Sequence, residues 1–130
     1  MSTISAPIII LGGNGMLGQA ISALSSALPL SKEDCDITSL KSIENAIRNH
    51  KPCSIINCAA YTKVDLAEKE AERAHLINAI GAKNIAMACS KLDVPLVHIS
   101  TDYVFDGTKN EPYLETDPCN PLSVYGKINS

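Results

Sequence analysis

The sequence lacks the features that mark nucleic-acid-binding and membrane proteins. Its 130 residues carry a net charge of −3, and the 11 basic residues are scattered, so there is no electrostatic footprint for nucleic acid or for an anionic membrane. No apolar run is long enough to span a bilayer, and residues 1–7 have no basic segment of the kind that opens a signal peptide. Nucleotide phosphates stay open as partners, because backbone amides bind them without a basic surface.

The five cysteines also lack a pattern. Their number is odd, their spacing is irregular and no C-x-x-C motif occurs, so we expect neither a disulfide scaffold nor a metal site. A free thiol in an apolar run behaves as a small hydrophobic side chain, and we expect Cys58 and Cys89 to be core residues. This usage of cysteine favours a reducing, cytoplasmic location.

Short apolar runs alternate with helical patterns along the whole chain. We predict strands at residues 8–11, briefly within 28–37, at 54–59 and at 96–100, and helices at 16–27 (ended by Pro29), after Thr38 or Ser39, at 64–92 with a closely packed Gly81, and from Pro121 with Asn120 as its cap. This alternation predicts an α/β protein with a Rossmann-like, doubly wound parallel sheet in one domain over residues 1–130. Four strands are fewer than a complete domain of this kind has, so the domain is expected to be truncated.

A glycine cluster at residues 12–18 follows the first strand and opens the first helix. It contains both G-x-G-x-x-G (residues 13–18) and G-x-x-G-x-x-G (residues 12–18), whose glycines permit a tight turn and a close approach of the backbone to a pyrophosphate. The helix N-terminus offers unpaired N–H groups and a positive dipole end to the anion. We therefore predict NADPH or NADH as cofactor, held at Gly12, Gly15, Met16, Leu17 and Gly18.

The residues that would contact the adenosine end are less defined. The second strand ends near Lys32, which either favours a 2′-phosphate, and hence NADPH, or is a solvated surface lysine. Asp36 and Ile37 either end a third strand against the adenine or form a helix-capping turn.

Four separate stretches carry a family resemblance. They are N-C-A-A-Y-T-K-V-D-L-A-E (residues 57–68), S-T-D-Y-V-F-D-G (100–107), P-Y-L-E-T-D (112–117) and P-L-S-V-Y-G (121–126). In order and over the whole chain, the sequence resembles the dTDP-4-dehydrorhamnose reductases of the extended short-chain dehydrogenase/reductase superfamily. The resemblance implies NAD(P)H-dependent reduction of a 4-keto-6-deoxy nucleotide sugar linked to dTDP.

The resemblance also implies roles for individual residues. Thr101 would orient the substrate carbonyl and Tyr125 would supply the proton, with Asp102 and Tyr103 near the substrate or the nicotinamide. Ala59, Ala60 and Tyr61 would line the cofactor cleft, and Asn78 would stand at the position of the family's helix asparagine. The residues alone favour another interpretation, in which Thr101 with Asp102 caps a loop and Tyr103 with Phe105 are core or rim aromatics. His98 alternates with apolar residues on a strand and is expected to be packed or hydrogen-bonded, not catalytic.

The sequence departs from the family pattern at one position. The family has a lysine four residues after the tyrosine, where this chain has Asn129; residues four apart share a helix face. Asparagine adds no charge to stabilise a tyrosinate, so we expect impaired catalysis, and the resemblance implies that a C-terminal substrate-binding region is absent. Two alternatives stay open: a non-catalytic NAD(P)-binding or regulatory module resembling the β subunit of methionine adenosyltransferase, and another nucleotide-sugar reductase or epimerase. A homodimer also stays open.

Overall fold

One parallel sheet organises the chain. In a computed structural model describing residues 5–130, the sheet has four strands in the order β2-β1-β3-β4. Residues 1–4, part of the segment for which the sequence predicts no signal peptide, lie outside this range. The strands are β1 (Ile8–Leu11), β2 (Leu28–Leu30), β3 (Ser54–Asn57) and β4 (Leu96–His98). The predicted α/β architecture with a parallel Rossmann-like sheet is confirmed.

The strand register brings the four carboxyl ends into one row. Leu11 pairs with Leu30 on one side and with Asn57 on the other, and Asn57 pairs with His98. Each strand therefore delivers the residues that follow it to the same edge of the sheet. In open α/β sheets, this edge is where ligands bind.

Helices α2 (Leu40–His50) and α4 (Ala82–Lys91) bury one face of the sheet. The apolar positions of α2 recur at helical spacing, and Ser39 begins that helix by accepting a hydrogen bond from the Ser42 backbone N–H. The main core joins these helices to the sheet through Ile9, Leu11, Ile43, Ile47, Ile55, Ile85 and Cys89. Burying one such branched side chain contributes about 1.5–3 kcal/mol. Helix α1 (Met16–Leu24) contacts β1 and β2.

The helix predicted at 64–92 is interrupted. A 3-10 helix (Leu66–Glu68) comes first, and α3 (Ala71–His75) then continues through a π-helical segment (Leu76–Gly81) into α4. The break falls at Glu70, whose backbone is not helical (φ −112°, ψ 39°) and whose carboxylate accepts from the Tyr61 hydroxyl. A tertiary contact thus overrides local propensity. The close packing predicted at Gly81 is confirmed, since a Cβ there would lie 2.7 Å from Ile37 Cδ1.

Two predicted helix ends were wrong. Helix α1 ends at Leu24, where the Ser25 hydroxyl bonds the Ile21 carbonyl, and Pro29 lies in β2, an edge strand that tolerates a missing N–H. Helix α5 (Val124–Asn129) begins after Ser123, which accepts from the Gly126 N–H. Asn120 is not the cap, because its side chain donates to Asp106 instead. The strands predicted at 54–59 and 96–100 end earlier, at Asn57 and His98.

No helix among residues 5–130 is both long enough and apolar enough to cross a membrane.

Candidate functional site

A cleft of about 370 Å³ opens at the carboxyl edge of the sheet. Its walls come from the segments that follow three strands: Gly12 to Gly15 after β1, Ser31 to Thr38 after β2, and Cys58 to Ala60 after β3. The connection after β1 leads to β2 on one side of the sheet, whereas the connection after β3 leads to β4 on the other side. Such a switch point forms the ligand crevice of a doubly wound sheet.

The glycine loop is built for close approach. Gly12 has φ +73°, and a Cβ on it would lie 2.6 Å from the Ala59 N and Cα atoms. The Gly15 N–H donates to the Gly12 carbonyl at 3.0 Å, which closes a tight turn. Gly18, one turn into α1, is packed directly on that same carbonyl, so a side chain at either Gly12 or Gly18 would push the loop apart.

The amino end of α1 fits an anionic group. Its N-cap is Gly15, which supplies no side-chain acceptor, and the first turn has no acidic residue. The first N–H groups of this helix therefore stay available to a phosphate. Met16 and Leu17 lie at this helix start, outside the lining of the cleft, and 91% of Met16 is exposed.

The segment after β2 shows which of the two interpretations of Asp36 and Ile37 is correct. Asp36 and Ile37 both line the cleft, but they form no strand. Asp36 accepts from the hydroxyl and the backbone N–H of Thr38 at 2.7 and 2.9 Å, which makes a turn ahead of α2. These bonds, and more weakly the Lys32 ammonium, lower the pKa of the Asp36 carboxyl. Lys32 is exposed at the cleft wall.

Asn78 holds the segment after β3 in place. Its side-chain oxygen accepts from the Tyr61 N–H at 2.8 Å, and its nitrogen donates to the Tyr61 carbonyl at 2.9 Å. Only 6% of either residue is exposed, and neither lines the cleft that Ala59 and Ala60 line. The Tyr61 hydroxyl donates to Glu70 at 2.7 Å, and burial together with this carboxylate raises the pKa of the Tyr61 phenol.

The segment after β4 carries the residues for which the family resemblance implies catalysis. The Thr101 hydroxyl oxygen accepts from the Tyr103 N–H at 3.2 Å and caps a 3-10 helix (Asp102–Val104). The interpretation of Thr101 as a loop cap is therefore confirmed. The Tyr103 ring meets the Tyr125 ring edge-on, with 5.7 Å between centroids. Gly126 permits this approach by packing on the Tyr103 carbonyl.

Tyr125 is fixed by contacts on several sides. Only 8% of it is exposed, and it belongs to one apolar cluster with Tyr61, Ala67 and Ala74. The Glu68 carboxylate accepts from the Val124 N–H at 3.0 Å, which anchors the start of α5. The structure thus brings Tyr125 into one apolar cluster with Tyr61, which follows β3.

A second cavity, of about 390 Å³, lies beside Asp102 and Tyr103. Asp106 orders its wall by accepting from the Thr108 hydroxyl and N–H, from Asn120 Nδ2 and from the Tyr113 hydroxyl. These bonds hold the pKa of the Asp106 carboxyl far below its usual range. Phe105 stacks on Tyr113 with ring centroids 4.2 Å apart, so Phe105 is a packed loop aromatic.

Some cleft residues were not predicted from the sequence. Cys58, expected in the core, is half-buried and lines the cleft. The other cleft residues that were not predicted are Asn14, Ser31, Glu33, Cys35, Thr38 and Ile77. Burial raises the pKa of the Cys35 thiol to about 11, so this thiol stays protonated near neutral pH. The position of Cys58 directly before Ala59 and Ala60 was the available clue. Cys89 is a core residue, as predicted, and within residues 5–130 no group of acidic, histidine and cysteine side chains is placed to hold a metal ion.

A parallel sheet with a glycine loop at its switch point defines the Rossmann-like class of α/β proteins. Within that class, the chain belongs to the family described as the RmlD substrate binding domain, whose family model matches residues 6–129.

Similar proteins agree with this assignment. The chain is 42% identical over 126 residues to a dTDP-4-dehydrorhamnose reductase of Mycolicibacterium smegmatis, covering 92% of this chain and 38% of the relative. It is 39% identical over 124 residues to a dTDP-4-keto-6-deoxy-D-glucose reductase of Streptomyces niveus, covering 92% and 43%. A solved dTDP-4-dehydrorhamnose reductase from Bacillus anthracis, in complex with NADP, matches with a TM-score of 0.93 at 40% identity, covering 99% of this chain and 48% of that one. The chain therefore spans less than half the length of these relatives.

Proposed function

We propose that this chain is the cofactor-binding part of an NADPH-dependent reductase that acts on a dTDP-linked 4-keto-6-deoxy sugar. One observation carries the proposal: the glycine loop, the β2 segment and the β3 segment converge on one cleft at the switch point of the sheet. The relatives named as reductases of this sugar class, and the one solved with NADP, support the same function. A reducing, cytoplasmic location is part of the proposal.

The residues around the cleft suit a dinucleotide. A volume of about 370 Å³ lies within the range of roughly 300–1,000 Å³ that small-molecule sites occupy. The pyrophosphate would lie at the start of α1, held by the backbone of Gly12, Gly15, Met16 and Leu17, with Gly18 keeping the helix close. Asp36 and Ile37 would contact the adenosine end, and Ala59 and Ala60 the opposite wall, supported by Tyr61 and Asn78.

The chemistry divides between the cofactor and this chain's own side chains. When bound, NADPH supplies the hydride. Tyr125 would give its phenolic proton to the carbonyl oxygen of the sugar, and the Thr101 hydroxyl would hold that oxygen by hydrogen bonding. Asp102 and Tyr103 would contact the sugar, because they border the second cavity. The edge-on contact between Tyr103 and Tyr125 supports a common location for the substrate and the proton donor.

Catalysis by the chain is proposed to be weak. A lysine at position 129 would place a positive charge near the phenol and favour the tyrosinate; Asn129 cannot. Its amide donates instead to the Tyr125 main-chain carbonyl. The same observation favours the second candidate function, a non-catalytic NAD(P)-binding or regulatory module.

Binding and turnover separate these functions. Calorimetric titration of the 130-residue chain with NADPH and with NADH should show saturable binding, with NADPH the tighter ligand. NADPH oxidation in the presence of a dTDP-4-keto-6-deoxy sugar should be slow but measurable if the chain is an impaired reductase. Saturable binding with no sugar-dependent oxidation favours the non-catalytic module, and a folded chain that binds neither cofactor contradicts both.

A further inference from the structure

A hydrogen bond between two strands reaches from β4 to the wall of the cofactor cleft. Asn57 Nδ2 and His98 Nδ1 lie 3.0 Å apart, at the carboxyl ends of β3 and β4. The other end of the same amide, Asn57 Oδ1, accepts from the Ala59 N–H at 3.0 Å. Asn57 is only 2% exposed, so both ends of its side chain depend on these partners.

The chemistry of the partners fixes the direction of both bonds. A backbone N–H can only donate, so the oxygen of the Asn57 amide has to face Ala59. The amide nitrogen, which can only donate, then faces His98. His98 Nδ1 is therefore the acceptor, which requires a neutral imidazole that carries its proton on Nε2.

Ala59 is the residue through which the hydrogen bonds of Asn57 are linked to the cleft. It lines the cleft beside Gly12, whose missing Cβ leaves only enough room for the Ala59 backbone. A displacement of Ala59 would therefore either close on Gly12 or widen the wall against which a ligand packs. His98 also stands three residues before Thr101, on the strand that leads into the segment proposed to hold the substrate carbonyl.

We propose that His98 is a positioning residue for the cofactor cleft, acting through Asn57 on Ala59. Its neutral Nδ1 holds the Asn57 amide in the one orientation that leaves an oxygen for the Ala59 N–H. Without that acceptor, the Asn57 amide nitrogen loses its partner on β4, and the Ala59 segment is held less firmly. The consequence for cofactor affinity rests on the proposed NADPH binding, whereas the tautomer and the position of Ala59 do not.

A matched pair of variants tests the acceptor. In His98→Asn, the side-chain oxygen occupies the place of Nδ1 and can accept from Asn57; in His98→Leu, a side chain of the same size cannot. Loss of one hydrogen bond of this kind changes an equilibrium by about five-fold. We expect the NADPH dissociation constant of His98→Leu to rise about five-fold and that of His98→Asn to stay near the parent value. Equal weakening in both variants would overturn the proposal, since a general structural role predicts no rescue.

Nuclear magnetic resonance of the cofactor-free chain gives the second measurement. The imidazole nitrogen shifts of the parent should show Nε2 protonated and Nδ1 as acceptor. The Ala59 amide resonance should move in His98→Leu and return towards the parent position in His98→Asn. A proton on Nδ1, or an Ala59 resonance that is the same in all three chains, overturns the proposal. If the parent binds no NADPH, the proposed function fails, and these spectra still decide the positioning role.

Discussion

The side-chain amide of Asn129 donates a hydrogen bond to the main-chain carbonyl of Tyr125, with 2.8 Å between nitrogen and oxygen. The two residues share a helix face, as their spacing predicts, but the contact reaches the backbone of Tyr125 and not its phenol. Asn129 therefore stabilises the last turn of α5 and contributes no charge to the proposed proton donor.

Replacing Asn129 by lysine should add a cationic contact to the proposed cofactor site. We expect Asn129→Lys to lower the NADPH dissociation constant about five-fold, because a partly exposed charge-assisted hydrogen bond contributes about 1 kcal/mol. Asn129→Met, a side chain of similar length without a charge, is the control and should bind NADPH no better than the parent. Indistinguishable dissociation constants for the lysine and methionine variants would show that the family's lysine role does not transfer to this chain.

Two glycines with positive φ offer a matched test of the cleft wall. At Gly12 (φ +73°) a Cβ would lie 2.6 Å from the Ala59 backbone, whereas at Gly107 (φ +75°) nothing lies within 4 Å. Gly107→Ala should therefore lower the free energy of unfolding by about 1 kcal/mol through backbone strain alone. Gly12→Ala should lower it by about 3 kcal/mol, because overpacking adds to the strain, and should abolish NADPH binding.

Urea unfolding and NADPH titration of both alanine variants give the comparison. If Gly12→Ala were as stable as Gly107→Ala and bound NADPH like the parent, the close approach of the loop to Ala59 would have no consequence.

Lys32 should discriminate between the two cofactors. It is exposed on the cleft wall, where its ammonium can pair with a 2′-phosphate and screening leaves about 1 kcal/mol. Lys32→Ala should raise the NADPH dissociation constant about five-fold and leave that of NADH unchanged, as measured by calorimetry. Lys69→Ala removes the same charge from a residue outside the cleft lining, and it should change neither value. An equal loss for both cofactors in Lys32→Ala would count against a 2′-phosphate contact.

Asp106 should make the loop after β4 sensitive to acid. Hydrogen bonds from Thr108, Asn120 and Tyr113 lower the pKa of this carboxyl in the folded chain. A lowered pKa means that the carboxylate stabilises the fold above the unfolded pKa of about 3.9, and that this stability is lost as the pH falls towards the folded value. Thermal midpoints measured from about pH 7 to about pH 3 should therefore fall with pH.

The Asp106→Asn variant isolates the contribution of this carboxylate. It should melt below the parent at neutral pH, lose less on acidification, and approach the parent curve at the acid end. Curves that stay parallel over the whole range would assign the acid sensitivity to other carboxyls, such as Asp36 and Asp117, whose pKa values are also lowered by their hydrogen bonds.

The local sequence pattern was sufficient to predict a strand or helix wherever that element buries its own apolar residues. The isoleucines of β1 indicated a strand buried on both faces, and the spacing of Ile43, Ala46 and Ile47 indicated a helix with one apolar face; both are present. The glycine loop was equally readable, because strand, turn and helix follow one another directly along the chain. The pattern failed to predict the structure where a contact with another segment sets the backbone. The helix predicted at 64–92 is interrupted at Glu70, which accepts a hydrogen bond from Tyr61. Asn120, the predicted cap, donates to Asp106 instead.

Sequence patterns were enough to infer the order of strands and helices along the chain, the parallel sheet, the glycine loop and the family. Each of these follows from periodicity, from glycine placement or from contiguous motifs, which need no knowledge of distant neighbours. The folded chain was needed to show that Cys58 lines the cleft, that Asn78 bonds the Tyr61 backbone, that Asn129 bonds a carbonyl, and that Asn57 joins His98 to Ala59. The contacts of Asn78 with Tyr61 and of Asn57 with His98 join residues 17 and 41 positions apart, and all four pairs depend on how the sheet and its helices direct each side chain. A linear pattern does not carry that information.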